Sequence, residues 1–444
     1  MRSRPDPCRL PTPDRPHPPG GRSSSYMFAD RVACTRLVRG APMMSQELRV
    51  RIGMVLANHP FPPDIRVSKE ADALAAGGYD TLVLCRARAT DNLSDRVGNA
   101  IAVRHSVHPG RTLKRRADSL RYLATLDSPS WRRAMVDLVR RHGAEALHIH
   151  DLPYARSGIL AAREAGVPVV LDFHENYPAA LALWKRRPID SLMFSPKRAA
   201  KLERWAITQA DRIVVVVDEA KERLVGLGAD PDRIVVFGNT ESLDMARGIP
   251  APLDLSRGPR IVYVGGIAAH RGLDTVVAAM PGILHRFPNA RLAIIGEGHT
   301  LPELKAQAHR LGVLDAIEFT GQLPKDEAME RVRVATLGLV PHHRSPHTDA
   351  TVPHKLFQYM ALGRPVLVSD CAPLARIVRA TGAGDVFTAG EAPDLVRKVI
   401  ALSDNEAASR AGAAGRVAVI SRWNLEAEAP VLCSLYDELA AGKH

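Results

Sequence analysis

The chain lacks several things that would have decided its class at once. No apolar run approaches the roughly 20 residues needed to cross a bilayer; the longest, Arg212–Val217 and Val167–Leu171, have strand length. Cysteine is scarce and scattered. Cys8, Cys34, Cys85, Cys371 and Cys433 are odd in number and no two have C-x-x-C spacing, which leaves neither a disulfide framework nor a zinc knuckle, and a reducing cytoplasm is the expected setting. Aromatic residues are 5% of the chain, too few to build base-stacking platforms, and no nucleic-acid-binding module accompanies the net charge of +12. Nucleic acid is therefore set aside as a partner. No short-period repeat is present either.

What remains is 444 residues with 46% hydrophobic content, enough to bury two or three domains. The positive charge is unevenly spread. Residues 1–47 are rich in Pro, Arg and Ser without sustained periodicity, which predicts a disordered basic extension without the apolar core of a secretion signal. The pair Met43-Met44, just before the first strand, is an alternative start of translation. Two further basic stretches, Arg111–Gly143 and Leu183–Trp205, read as helices with apolar residues between the cations. Such faces are either solvated or docked on an acidic lipid surface, so peripheral attachment to the inner face of a membrane is a second expectation.

From Leu48 onward short apolar runs alternate with amphipathic helical stretches, the pattern of parallel α/β domains. RVRIGMVLA, the helical DIRVSKEADALAAGG and YDTLVLC make one βαβ unit, and ALHIHD, VPVVLDFHE and RIVVVVD continue the series. Ligands in such sheets sit beyond the carboxyl ends of the strands, which singles out His150, Asp151, Asp172, His174 and Glu175. The proline-rich IPAPLDLSRGPR interrupts the alternation, and RIVYVGG, ARLAIIGEG, AIEFTG, ATLGLVP, RPVLVSD and GDVFT restart it. The reading is a first domain over 48–242, a linker over 243–258, a second domain over 259–417 and a closing helix over 418–444.

The second domain carries the phosphate-binding signals. Gly265 and Gly266, then Gly296 and Gly298, stand at strand-to-helix turns where backbone can approach an anion closely. A third turn, TVPHKLFQYMALGRPVLVSD from Thr351, places Pro353, His354 and Lys355 at the mouth of a helix with Gln358 one turn in. A helix cap does not need that lysine; a bound anion does. The histidines His342, His343, His347 and His354 have no zinc-ligand spacing, and no metal is expected.

Taken in order, VYVGGIAAHRGLDT, IIGEG, FTGQLP and TVPHKLFQYMALGRPVLVSD resemble the donor-binding half of the retaining family 4 glycosyltransferases of GT-B fold. HIHD, DFHENYP and ADRIVVVVDEAKERL resemble their acceptor half. The resemblance runs from Arg49 to the C-terminus. It implies two Rossmann-like domains facing a cleft, a C-terminal helix crossing back to the first, and transfer of a sugar from a UDP- or GDP-sugar to a glycan or lipid-linked acceptor, as in cell-surface polysaccharide synthesis. By the same resemblance Arg271 holds the diphosphate and Gly265, Gly266, Thr351, Pro353, His354 and Lys355 cradle it. Glu297 and Gln322 flank the base, Gln358 meets the ribose, and His174 lies at the reacting centre. Asp64, Arg66, His150 and Asp151 face the acceptor. No cofactor follows beyond the donor itself.

Three departures stand out. The paired glutamates of the family fall on Ala350 and Gln358, so orientation of the donor sugar is expected to pass to backbone amides or to Asp349. The family's arginine ahead of the diphosphate-binding base falls on Gly266, with Lys355 as its expected substitute. The first loop, NHPFPPDIRV, has Asp64 and Arg66 where the family has a glycine pair. Two rival readings share the architecture: a nucleotide-sugar-binding protein without turnover, and a sugar-nucleotide 2-epimerase.

Overall fold

The computed structural model describes residues 50–57, 59–88, 91–106, 113–183 and 195–442. The expected disordered extension and much of the second basic stretch lie outside these residues.

The first sheet contains β1 (Arg51–Leu56), β2 (Asp80–Arg86), β3 (Ser94–Val97), β4 (Ala100–His105), β5 (Ala146–His150), β6 (Val169–Phe173), β7 (Arg212–Val215) and β8 (Ile234–Val236), in the order β3-β4-β2-β1-β5-β6-β7-β8. All neighbouring pairs are parallel except β3 with β4. Strands β5 and β6 are buried along their whole length, because helices cover both faces. Those helices are α1 (Ile65–Ala76), α2 (Leu113–Thr125), α3 (Pro129–His142), α4 (Ala155–Ala165), α5 (Tyr177–Leu183), α6 (Pro196–Gln209) and α7 (Asp218–Gly226). Two features of this sheet were not legible. The β3–β4 hairpin turns through Gly98 in the left-handed region, but its first strand is short and polar and carries no alternation. Strand β8 is only three residues long.

The second sheet is wholly parallel: β9 (Arg260–Val264), β10 (Arg291–Ile295), β11 (Ile317–Gly321), β12 (Leu337–Val340), β13 (Val366–Ser369) and β14 (Gly384–Phe387), ordered β11-β10-β9-β12-β13-β14. Its helices are α8 (Leu273–Arg286), α9 (Leu301–Arg310), α10 (Lys325–Arg333), α11 (His354–Ala361), α12 (Ala372–Thr381) and α13 (Ala392–Leu402). This is the two-domain parallel α/β architecture the alternation and the resemblance anticipated.

The chain then returns. Helix α14 (Asn405–Ser421) packs against α11, and the chain breaks at Arg422–Asn424 before α15 (Leu425–Ala441). The break has a local cause: the Asn424 side chain accepts from Ala427 N at 2.8 Å, capping α15, and its amide donates to Val419 O at 2.7 Å, closing α14. Helix α15 lies on α1, with Leu432, Leu435 and Tyr436 buried in one cluster with Val67 and Leu74. The last helix of the chain is thus part of the first domain's core.

The two domains touch across the cleft. Arg376 of α12 donates twice to Glu219 of α7, at 2.7 and 2.9 Å. Thr351 Oγ1 donates to His174 O at 3.0 Å, and Asn176 Nδ2 donates to Pro346 O at 3.0 Å.

Replacing Asn424 by alanine should remove the cap of α15 and cost about 1 kcal/mol of stability in denaturant titration. An unchanged midpoint would mean that packing alone places the break.

Candidate active site

The site forms where the carboxyl ends of both sheets meet. A cavity of about 330 Å³ there is lined by His174 and Glu175 from the first domain and by Gly265, Gly266, Arg271, His347, Thr351, Pro353, His354, Lys355 and Gln358 from the second. Nine of the fifteen side chains and backbone positions singled out from the sequence therefore come together. Glu297 and Gln322 do not line this cavity; they stand beyond the ends of the neighbouring strands β10 and β11, whose tips are joined by Gly296 N donating to Gly321 O at 2.8 Å. Asp64, Arg66, His150 and Asp151 lie on the first-domain side, outside the lining.

Backbone geometry explains the position of Arg271. Gly272 has φ 66°, and a Cβ there would sit 1.8 Å from the carbonyl oxygen of Pro341. Only glycine lets the turn Ala269–Arg271 close against the end of β12. Arg271 Nη1 then donates to His342 Nε2 at 3.0 Å. Burial, and then the Arg271 charge, push His342 well below the usual histidine range, so it is a neutral acceptor. The same two causes hold His347 at about 4 and, first among several, His270 at about 3.

Lys355, the second residue of α11, is the unusual group. Its side chain is buried, and Nζ has no hydrogen-bond partner. It lies 3.5 Å above the centre of the Tyr263 ring, a cation–π contact. It fills space cleared by glycine, since a Cβ on Gly265 would come within 2.9 Å of Nζ. Burial and the neighbouring Arg271 push its pKa well below the ordinary lysine value. An anion in the cavity would offset both causes and favour the charged form.

Gln358 Nε2 donates to Glu241 Oε1 at 2.9 Å, and Lys69 Nζ binds the same oxygen at 2.8 Å. The amide at 358 thus answers a carboxylate that the sequence reading missed; a glutamate there would face Glu241 at hydrogen-bond distance. Asp349, expected as a fallback contact for the donor sugar, is committed elsewhere. Its Oδ1 accepts from Ala372 N at 2.8 Å at the start of α12, and its Oδ2 pairs with Arg344 at 3.2 Å.

On the first-domain side, Arg66 is not exposed to a ligand. Its Nε and Nη2 hold Asp172 bidentately, both at 2.8 Å, Nε lies 3.0 Å from Glu70, and Nη1 donates to Phe237 O and Asn239 Oδ1, both at 3.1 Å. Asp64 caps α1 through Val67 N at 2.9 Å. His150 is buried, with Nδ1 at 3.1 Å from Asp172. His174 Nε2 donates to Asp172 at 2.8 Å and Nδ1 lies 3.5 Å from Asp151. Burial opposes charge on His174, but Asp151 and Asp172 outweigh it and raise its pKa to about 10. Burial, then Asp151, lift Glu175 to about 7. Asp151 itself sits at φ 63°, ψ 157°, backbone that glycine alone adopts without strain.

Glu70, His148, His150 and Asp172 bring ligand atoms within 4.8 Å of one another. His-x-His on one strand face is the signal that could have revealed this cluster. Asp172 is held well below the usual carboxylate range by Arg66 and His174 against the opposing effect of burial, while burial and then Asp172 push Glu70 well above it, so the cluster is already spoken for by an arginine and a charged histidine. We read it as an ion-pair network that fixes His174.

Sequence comparison gives the geometry a family. A family model described as Glycosyl transferase 4-like domain matches residues 63–240, and one described as Glycosyl transferases group 1 matches residues 250–417. The chain belongs to the group 1 glycosyltransferases. The glycogen synthase of Mycobacterium tuberculosis is 23% identical over 410 residues, covering 86% of this chain and 94% of its own length. The phosphatidyl-myo-inositol mannosyltransferase of Mycolicibacterium smegmatis is 24% identical over 371 residues, 80% of this chain and 86% of the relative. Among solved structures, sucrose-phosphate synthase from Thermosynechococcus elongatus superposes with a TM-score of 0.73 at 18% identity, over 89% of this chain and 100% of that one, which shows a shared GT-B fold. The glycosyltransferase moves a glycosyl group from a nucleotide sugar to an acceptor in glycan or glycolipid synthesis.

Two outcomes test the network in this glycosyltransferase. Arg66→Met should cost about 3–5 kcal/mol, because it strands the buried Asp172 carboxylate. His174 has a folded pKa of about 10 against an ordinary 6.5, so its contribution to stability is complete below pH 6.5 and is lost as pH rises toward 10. The melting temperature of His174→Gln should lack that component of the alkaline decline; an unaltered pH profile would mean that His174 is not charged.

Proposed function

We propose that this glycosyltransferase retains the anomeric configuration of its donor, a UDP- or GDP-sugar, and binds the diphosphate between Arg271, Lys355 and the first turn of α11. The observation that carries the reading is Lys355: a buried lysine whose Nζ has no hydrogen-bond partner, beside Arg271, at a helix N-terminus. Arg271 and Lys355 supply the charge that would otherwise call for a metal ion. Gln358 meets the ribose, and Glu297 and Gln322 flank the base. As the bond from C1 to the diphosphate breaks, negative charge grows on the leaving oxygen, and both cations stabilise it. The acceptor hydroxyl attacks C1 from the same face, and its proton passes to the departing phosphate. Glu175 is the only carboxylate lining the cavity among the described residues, and front-face attack, assisted by the departing phosphate, asks for no enzymatic nucleophile.

On the acceptor side, Asp151 and Asp64 face the incoming group. Arg66 and His150, both buried, act behind them by holding Asp172 and so His174. The acceptor is a glycan or lipid-linked saccharide, taken from the cytoplasmic face of a membrane. What supports the membrane is α2, in which no residue is buried: Leu113 and Leu120 are 82% and 66% exposed beside Lys114, Arg115 and Arg116. No helix among the described residues is long and apolar enough to cross a bilayer.

Arg271→Ala and Lys355→Ala should each weaken UDP or GDP binding by about tenfold or more in calorimetric titration, with smaller effects on the monophosphate. The product's anomeric proton coupling should match the donor's; an inverted product would end the retaining reading. The pair Leu113→Asp and Leu120→Asp should lower co-sedimentation with phosphatidylglycerol vesicles, and undiminished binding would remove the membrane.

A further inference from the structure

Two residues that line the cavity between the domains face each other across it: Glu175, just beyond the end of β6, and His347, in the loop that leads from β12 to α11. Glu175 Oε2 lies 3.7 Å from His347 Nε2. Neither residue carries a role in the family resemblance. We propose that the pair is a hydroxyl clamp that reads the donor sugar: it holds one free hydroxyl and rejects a sugar that lacks a hydroxyl at that place. The inference rests on the reading that the diphosphate lies against Arg271 and Lys355, and it adds what the attached sugar must carry.

The width of the gap is the first sign. A separation of 3.7 Å is too long for a hydrogen bond between the two groups. An oxygen about 2.8 Å from each atom fits between them on the cavity side.

The chemistry of the two walls is the second. His347 is buried, and its Nδ1 has no hydrogen-bond partner. Burial, and then the Arg271 charge, hold the ring neutral, at about 4. A neutral imidazole carries one N–H, and an orphaned buried N–H is rarer than an unfilled lone pair, so the proton belongs on Nε2. One wall then donates and the carboxylate wall accepts. A hydroxyl answers both at once, since its oxygen accepts from Nε2–H and its proton goes to Oε2. A fluorine, an ether oxygen or a carbonyl cannot donate, and a phosphate would be repelled by the carboxylate.

Placement is the third. Thr351 Oγ1 donates to His174 O, and Asn176 Nδ2 donates to Pro346 O, both at 3.0 Å. These bonds cross the cleft on either side of Glu175 in one wall and of His347 in the other, so the gap is held at a set width. The His270 ring meets the His347 ring edge-on, with centres 5.3 Å apart. Burial and Asp151 raise Glu175 and burial lowers His347, but the Arg271 charge lowers both, which favours the carboxylate and the neutral imidazole together. The clamp therefore stands within the field of the group that faces the diphosphate. Charge then orients the donor: its phosphates turn to the cations and its neutral sugar to the one carboxylate lining the cavity among the described residues.

The experiment is calorimetric titration of the full chain at pH 8, above the value of about 7 to which Glu175 is lifted. The probes are UDP, GDP, UDP-glucose and GDP-mannose, followed by the deoxy analogues of whichever nucleotide sugar binds more tightly. At least one deoxy analogue should bind about tenfold more weakly than its parent. Glu175→Ala and His347→Ala should each weaken the parent by a similar factor without weakening UDP or GDP. In both variants the difference between the parent and that analogue should vanish, because the clamp is already open. Glu175→Gln keeps an accepting oxygen and should recover part of the affinity. If every analogue binds as its parent does, or if the analogue's loss persists undiminished in the variants, the inference is overturned while nucleotide binding stands. A Glu175→Ala variant that weakens UDP or GDP as much as the nucleotide sugar overturns it as well, since the pair would then only support the fold. Absence of UDP and GDP binding overturns the donor reading, and the clamp falls with it.

Discussion

The buried guanidinium of Arg66 is the interaction on which the rest depends. It leaves α1 of the first domain, holds Asp172 at the end of β6, and reaches Phe237 and Asn239 where the chain passes toward the second domain. Asn239 in turn donates to Val352 O at 2.8 Å, at the entrance to α11. One cation thus holds Asp172, the partner of His174, on one side and, through Asn239, reaches the entrance to α11 on the other. Lys69, one turn along α1, repeats the connection through Thr240, Glu241 and His354. Hydrogen bonds to a buried charge are directional and costly to lose, so the relation between cleft walls is firmly specified.

On the second-domain wall of the cleft, the Lys355 amine lies in the space beside Gly265, and the amide of Gln358 donates to the carboxylate of Glu241. The histidines around Arg271 are pushed below their usual range by burial first and by the Arg271 charge second.

Much of this was legible in the sequence, for definite reasons. Parallel strands covered on both faces are continuous apolar runs, and VVLDF and ALHIH read as strands on that ground alone. Gly265, Gly266 and the Pro353-His354-Lys355 helix start, singled out together from the sequence, do line one cavity. The β3–β4 hairpin escaped because an edge strand exposed on one face and four residues long has no periodicity to read. Glu70, Lys69 and Glu241 escaped because a charged residue on an amphipathic helix, or in a crossover, reads as a solvated one until its partners are known.

The sequence by itself determined that there are two parallel α/β domains and where most of their strands end. These follow from local periodicity and from the φ angles that only glycine tolerates freely. Tertiary structure decided which of the residues singled out line one cavity and which are spent on one another. Arg66 and His150 looked like acceptor contacts and are buried partners of Asp172; Asp349 looked like a substitute carboxylate and caps a helix. The physical reason is that a charge acts on whatever lies within a few ångströms, and its neighbours here come from other elements of the fold, 22 residues away for His150, 23 for Asp349 and 106 for Arg66.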